Sequence, residues 1–194
     1  MTPSAGWGDY SWVREPDSWE IDDTGVLRWH TRHFSDFWRH TGGVVGADDG
    51  DAFLARRVGD FSVGMRINTD FSSLYDQCGL MVRADARTWL KTGIEWDGGT
   101  WFSVVATRES SDWSKQEVPS GHVEFTVWRT GETLRVGLVV GDALHLVREL
   151  VLDGPVAVGP YSCSPKGPGF AVSVTPSTSA DDAPLLLAQA GRLT

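Results

Sequence analysis

Three runs decide the fold: YDQCGLMVR at 75–83, WLKTGIEW at 89–96 and WFSVVAT at 101–107. Each alternates apolar and polar residues, the period of a strand with one face buried. Successive strand side chains point to opposite faces, so Cys78, Leu80, Val82, Leu90, Ile94, Trp96, Phe102, Val104 and Ala106 share an apolar face. The other face carries Gln77, Arg83, Trp89, Lys91, Glu95, Ser103 and Thr107 around Gly79 and Gly93. A register that keeps like with like pairs Gln77 with Glu95, Gly79 with Gly93, Met81 with Lys91 and Arg83 with Trp89. Across the turn at Asp97 to Gly99 it sets Glu95 opposite Ser103, Gly93 opposite Val105 and Lys91 opposite Thr107. Hydrogen-bonding groups and indole over a glycine floor predict a polar ligand lying against a sheet.

The same reading extends outward. In TVWRTGETLRVGL a two-residue turn at Gly131 and Glu132 places Trp128 opposite Arg135 and Thr126 opposite Gly137. Phe125, Val127, Val136 and Leu138 then face a core, while Glu124, Thr126, Trp128 and Arg135 face away. Further strands are expected at 19–21, 26–31, 52–57, 61–68, 122–129, 133–140, 143–150 and 169–174, between turns rich in Gly, Pro, Asp and Ser. No segment keeps a helical period over three turns, so the expected fold is an all-β, two-sheet sandwich. Residues 1–18 are expected as an extension partly packed on the domain, 19–175 as the domain, and 176–194, with PSTSADDAP, as a disordered tail.

A chain of 194 residues most simply makes one domain with a sizeable core. Seventeen basic against 26 acidic residues, a net charge of −9 with Arg and Lys scattered, argue against nucleic acid and anionic membrane as partners. Cys78 falls at a core-facing strand position and Cys163 in a loop, which is not the dense cysteine set of a small secreted scaffold. MTPSAGWGDYSW lacks a basic stretch followed by an apolar core, so no signal peptide is expected and the cytosol is the expected compartment. Ten Trp are an outlier; most should fill the core, but Trp38 and Trp113 fall in loops, where an indole is costly to leave exposed unless something stacks on it.

Chemistry-bearing patterns are sparse. Glu95 and Glu124 could form an acid and base pair for glycoside cleavage if their strands were neighbours, whereas the simpler reading pairs Glu95 with Lys91. His30, His33, His40, His122 and His145 show no metal-ligand spacing, and Asp48, Asp49 and Asp51 read as a solvated turn. No metal site, cofactor motif or nucleophile elbow is found. The ligand-binding set expected from these faces and loops is Trp38, Tyr75, Gln77, Arg83, Trp89, Lys91, Glu95, Ser103, Trp113 and Trp128, with Glu95 the one catalytic candidate.

SDFWRHT, YDQCGLMVR, WLKTGIEW, SVVATRESSDWS and VGPYSCSPKGPGF, in that order, resemble a regulation-of-enolase-like family within the concanavalin A-like lectin/glucanase superfamily. The resemblance runs from about Trp19 to Val174 and implies a jelly roll with one concave polar and aromatic face. It favours a sugar or sugar derivative on that face. The paired carboxylates of the superfamily's glucanases have no matching motif here, so a binding or accessory protein without catalysis or cofactor is expected. The alternatives are a glycosidase- or lyase-like enzyme using Glu95, and a module that docks a protein partner.

Overall fold

The computed structural model describes residues 6–42, 45–119 and 123–176, and every regular element among them is a strand. In chain order these are β1 (Tyr10–Arg14), β2 (Trp19–Ile21), β3 (Leu27–His30), β4 (Phe37–Trp38), β5 (Ala47–Asp48), β6 (Asp51–Arg57), β7 (Phe61–Thr69) and β8 (Gln77–Arg83). They continue as β9 (Trp89–Trp96), β10 (Thr100–Thr107), β11 (Ser111–Glu117), β12 (Glu124–Thr130), β13 (Thr133–Val140), β14 (Ala143–Val151), β15 (Val156–Cys163) and β16 (Ala171–Pro176). One seven-stranded sheet has the order β1-β6-β15-β8-β9-β10-β11, and a second the order β14-β13-β12-β7-β16-β3-β2. The strands β4 and β5 form a small ribbon of their own. The two sheets pack as a jelly-roll sandwich.

The apolar face read from the three decisive runs is the core-facing side of the first sheet. Cys78, Leu80, Val82, Leu90, Phe102 and Val104 are buried against Met65, Phe125, Val127, Val136, Val172 and Val174 of the second. Each such side chain contributes on the order of 1.5–3 kcal/mol when fully buried. Phe102 and Phe125 meet edge to face across the core, 5.3 Å between centroids.

Register is where expectation and structure part. The β8–β9 pairing is as read, Gln77 with Glu95 through Arg83 with Trp89, and so is β12–β13 with Trp128 opposite Arg135. Between β9 and β10, however, the hairpin closes over Asp97, Gly98 and Gly99, with Trp96 opposite Thr100 and Gly98 at φ +70°. Glu95 therefore faces Trp101, Gly93 faces Ser103, and Lys91 faces Val105. The two-residue slide keeps every side chain on its face and changes only its neighbours.

Five strands escape the periodicity. The run SDWSKQE of β11 is mostly exposed, and β15 contains Gly159 and Pro160, punctuation that reads as a turn. The other three are β1, β4 and β5. Cys163 ends β15 rather than lying in a loop; it and Cys78 are free buried thiols on opposite faces of the sheet. Asp51 is not part of a solvated turn: it is fully buried and accepts a 2.8 Å hydrogen bond from the Arg32 amide. The tail after Pro176 and His122 lie outside the described residues.

Candidate functional site

Pairing across the first sheet sorts its outward side chains into rows. Cys163, Gln77, Glu95, Trp101 and Glu117 make the first; Tyr161, Gly79, Gly93, Ser103 and Lys115 the second. Met81, Lys91, Val105 and Trp113 make the third, and Arg83, Trp89, Thr107 and Ser111 the fourth.

A strap formed by residues 31–42 crosses this face. At one end the Ser35 amide donates to Ser164 O at 3.2 Å and the Phe34 amide to Gly167 O at 3.1 Å. At the other, Ser111 N donates to Arg39 O (2.8 Å), Arg39 N to Ser111 Oγ (3.0 Å) and Thr41 Oγ1 to Ser111 O (2.6 Å). Between them Phe37, 1% exposed, packs edge-on against Trp89 and Tyr161, both at 6.2 Å. With Leu54, Met81 and Val105 these rings form a second, smaller core on the outward face.

In front of the strap lies a cavity of about 410 Å³, within the range of small-molecule pockets, roughly 300–1,000 Å³. Gln77, Lys91, Glu95 and Val105 supply its floor. Asp36 and Trp38 come from the strap, Tyr75 from the β7–β8 connection, Pro165 and Lys166 from the β15–β16 loop, and Trp113 from β11. Trp38 and Trp113 stand perpendicular, 6.2 Å apart at 87°. Tyr75 has φ +68°, a left-handed backbone rare for an aromatic residue, and its amide donates to Trp96 O at 2.7 Å. The other two described non-glycine residues at positive φ, Phe34 and His40, flank Asp36 and Trp38 on the strap.

The floor is both charged and dry. Lys91, 1% exposed, donates from Nζ to Asp36 Oδ1 at 3.1 Å, with Cys163 Sγ 4.0 Å away. Burial is the largest influence on Lys91 and works to lower its pKa, but the charge and hydrogen bond of Asp36 together with the charges of Cys163 and Glu95 hold the ammonium above its ordinary value. Burial raises the Glu95 carboxyl above the usual range, opposed by the charge of Lys91, the Ser103 hydroxyl and the charge of Lys115. The Ser103 hydroxyl nonetheless makes no full hydrogen bond, and Gln77 Oε1 is likewise buried without a partner among the described residues. Trp89 Nε1 and Tyr161 OH on the same face also lack one. Buried polar atoms are seldom left so in a protein interior, and four on one sheet face is a concentration.

Six expected ligand-binding residues, Trp38, Tyr75, Gln77, Lys91, Glu95 and Trp113, line this one cavity. The others do not. Trp128 sits on the outward face of the second sheet with Glu124, so two sheets and their core separate both from Glu95, and a Glu95–Glu124 pair is ruled out. Trp89 is 2% exposed beneath Phe37, with no face to offer a ligand. Arg83 is spent on Asp48, donating through both terminal nitrogens at 2.8 and 2.7 Å, and fastens β5 to the sheet. Ser103 lies in the floor beside Glu95 without lining the cavity.

Lys91 pairs with Asp36, not with Glu95. The glycines are not a bare floor: a Cβ on Gly79 would lie 1.9 Å from Thr92 O and one on Gly93 2.2 Å from Cys78 O, so close backbone approach demands them. Asp36, Val105, Pro165 and Lys166 were missed. Asp36 was legible as the lone carboxylate beside two aromatic residues in SDFWRHT, and Lys166 as the cation of SCSPKGPGF.

The family described as "Protein of unknown function (DUF1349)" matches residues 12–180. The chain belongs to DUF1349. It is 32% identical over 177 residues to "Regulation of enolase protein 1" of Saccharomyces cerevisiae, covering 84% of this chain and 85% of that one. Among solved structures it is similar to a functionally unknown protein from Saccharomyces cerevisiae, with a TM-score of 0.81, 30% identity, and 89% and 96% of the two chains covered. It is also similar to the GH43 protein BlXynB from Bacillus licheniformis, with a TM-score of 0.68 and 17% identity over 86% of this chain and 35% of that one. At that identity the likeness shows the sandwich alone. For this DUF1349 member the fold is thus the one the resemblance implied, and the cavity lies where its quoted motifs converge.

Proposed function

We propose that this DUF1349 protein is a cytosolic binding or accessory protein that holds a sugar or sugar derivative in the cavity over Lys91 and Glu95 and does not cleave it. The observation that carries the reading is Gln77 Oε1: a buried acceptor without a partner, in a cavity floor, beside a carboxyl that burial biases toward its protonated, donating form. Neighbouring hydroxyls of a sugar match that pair once the Gln77 amide turns toward the cavity, one donating to Gln77 and one exchanging hydrogen bonds with Glu95. Trp38, Tyr75 and Trp113 supply aromatic surface for the apolar face of a pyranose. Catalysis is disfavoured because the second carboxyl group at the cavity, Asp36, is held by Lys91.

A thermal-shift screen of neutral, acidic and phosphorylated monosaccharides tests this. The expected result is stabilisation approaching about 2.7 kcal/mol at a hundredfold excess over Kd, abolished by Gln77→Ala. No stabilisation by any member at millimolar concentration overturns it.

A second reading, docking of a protein partner, is favoured by two apolar side chains on the surrounding loops. Phe34 is 69% and Leu74 49% exposed, and the yeast relative's name speaks of regulation of an enzyme. Phe34→Ser combined with Leu74→Ser separates the readings, since it should leave sugar-induced stabilisation intact.

A further inference from the structure

We infer that the ligand is a single sugar unit, free or at the end of a chain, and not an internal stretch of a polysaccharide. This rests on the sugar reading above and deepens it. A polymer bound along its length needs a face open at both ends of its path, so that the chain can enter and leave. Here the strap removes one end: Phe37 seals the fourth row of side chains, and Asp36 fastens the strap to the floor through Lys91.

The opposite end is closed as well. Tyr75 and Gln77 line the cavity there, and the connection bearing Tyr75 is tied to the β15–β16 loop by the Ser164 hydroxyl, which donates to Asp76 Oδ1 at 2.5 Å. Asp76 is fully buried and accepts from the Ser72 and Ser73 amides, so this wall is fixed rather than draped. The β15–β16 loop in turn holds the strap through Phe34 and Ser35. Phe34, His40 and Tyr75 all keep left-handed backbone in these walls, a strain that persists only where surrounding contacts over-determine it.

The flank toward β10 and β11 remains, where Trp101 follows Glu95 in the first row and Lys115 Nζ, paired with Asp97, lies over the rings of Trp101 (4.5 Å) and Trp113 (4.9 Å). A terminal unit can enter there with the rest of its chain leaving across Trp101. A pocket with one door admits an end.

Calorimetric titration of the purified protein with xylose, xylobiose, xylohexaose and soluble xylan, and with the matching glucose series, tests this. Affinity should change less than about threefold from the dimer to the hexamer, with one protein bound per chain, and a hexamer blocked at the recognised end should bind at least tenfold more weakly. Affinity climbing tenfold or more with length, or several proteins per xylan chain, overturns this inference and leaves the sugar reading standing. Silence of both series and of the monosaccharide screen overturns both. Hydrogen exchange of the Ser35, Arg39 and Ser111 amides without ligand gives a separate check: slow exchange supports fixed walls, and free exchange means the face is open in solution.

Discussion

Asp36→Asn should destabilise the protein far more than Lys91→Met, although the two changes remove opposite halves of one ion pair. The asymmetry comes from burial. The Lys91 side chain is 1% exposed and that of Asp36 23%, and Asp36 also accepts from the Phe37 amide at 2.7 Å. Without the carboxylate, an ammonium is stranded in a site whose other close partner is a thiol 4.0 Å away. Breaking a buried pair in this way costs about 3–5 kcal/mol. Removing the lysine leaves a carboxylate that still has an amide donor and water, at about 1–2 kcal/mol. The double variant should sit close to Lys91→Met, because the stranded charge is then gone.

At about 2–4 °C per kcal/mol for a domain of this size, Asp36→Asn should lower Tm by roughly 6–20 °C at pH 7. The pH dependence has opposite signs in the two proteins. In the wild type the raised Lys91 pKa contributes stability that is complete below the unfolded value of about 10.4 and is lost as pH climbs through the folded one. In Asp36→Asn the folded pKa falls below the unfolded one, so stability should recover as pH approaches about 10.4. Urea denaturation followed by tryptophan fluorescence from pH 7 to about 11.5 measures both. An Asp36→Asn variant within 1 kcal/mol of wild type, or a Lys91→Met variant less stable than it, refutes the reasoning.

Tyr75→Gly should separate stability from binding. Relief of about 1–3 kcal/mol of left-handed strain offsets the lost half-buried ring, so stability should move by less than about 1 kcal/mol while sugar affinity falls about tenfold; equal affinity removes Tyr75 from the site. Glu95→Gln should flatten the acid limb of the stability profile. A carboxyl with a raised folded-state pKa loses stability as pH rises from the unfolded value of about 4.3 through the folded one, and parallel urea midpoints for wild type and variant between pH 4 and 7 would show that burial does not govern Glu95. Trp128→Phe, on the far side of the sandwich, should leave sugar affinity unchanged, and a shift of more than about threefold would mean the second sheet contributes to the site.

Much of the sandwich was legible in the order of residues because strand periodicity is a local property. Alternation assigned Leu80, Leu90 and Phe102 to the core and Gln77, Lys91 and Glu95 to the opposite face, and two hairpins with unambiguous partners fixed their registers. The β9–β10 register failed because turn length, not face, distinguishes pairings two residues apart. The candidate site was legible only by face. Trp128 and Trp89 show the same outward-facing signature as Lys91, yet one belongs to the other sheet and the other is sealed under Phe37.

The sequence by itself determined which side chains lie together on a strand face, since that follows from a two-residue period acting within each segment. Only the tertiary structure decided which outward face carries the cavity and which residue answers Lys91. Those depend on residues 31–42 crossing the sheet and fastening at Ser164 and Ser111, contacts between segments more than 60 positions apart that no local pattern encodes.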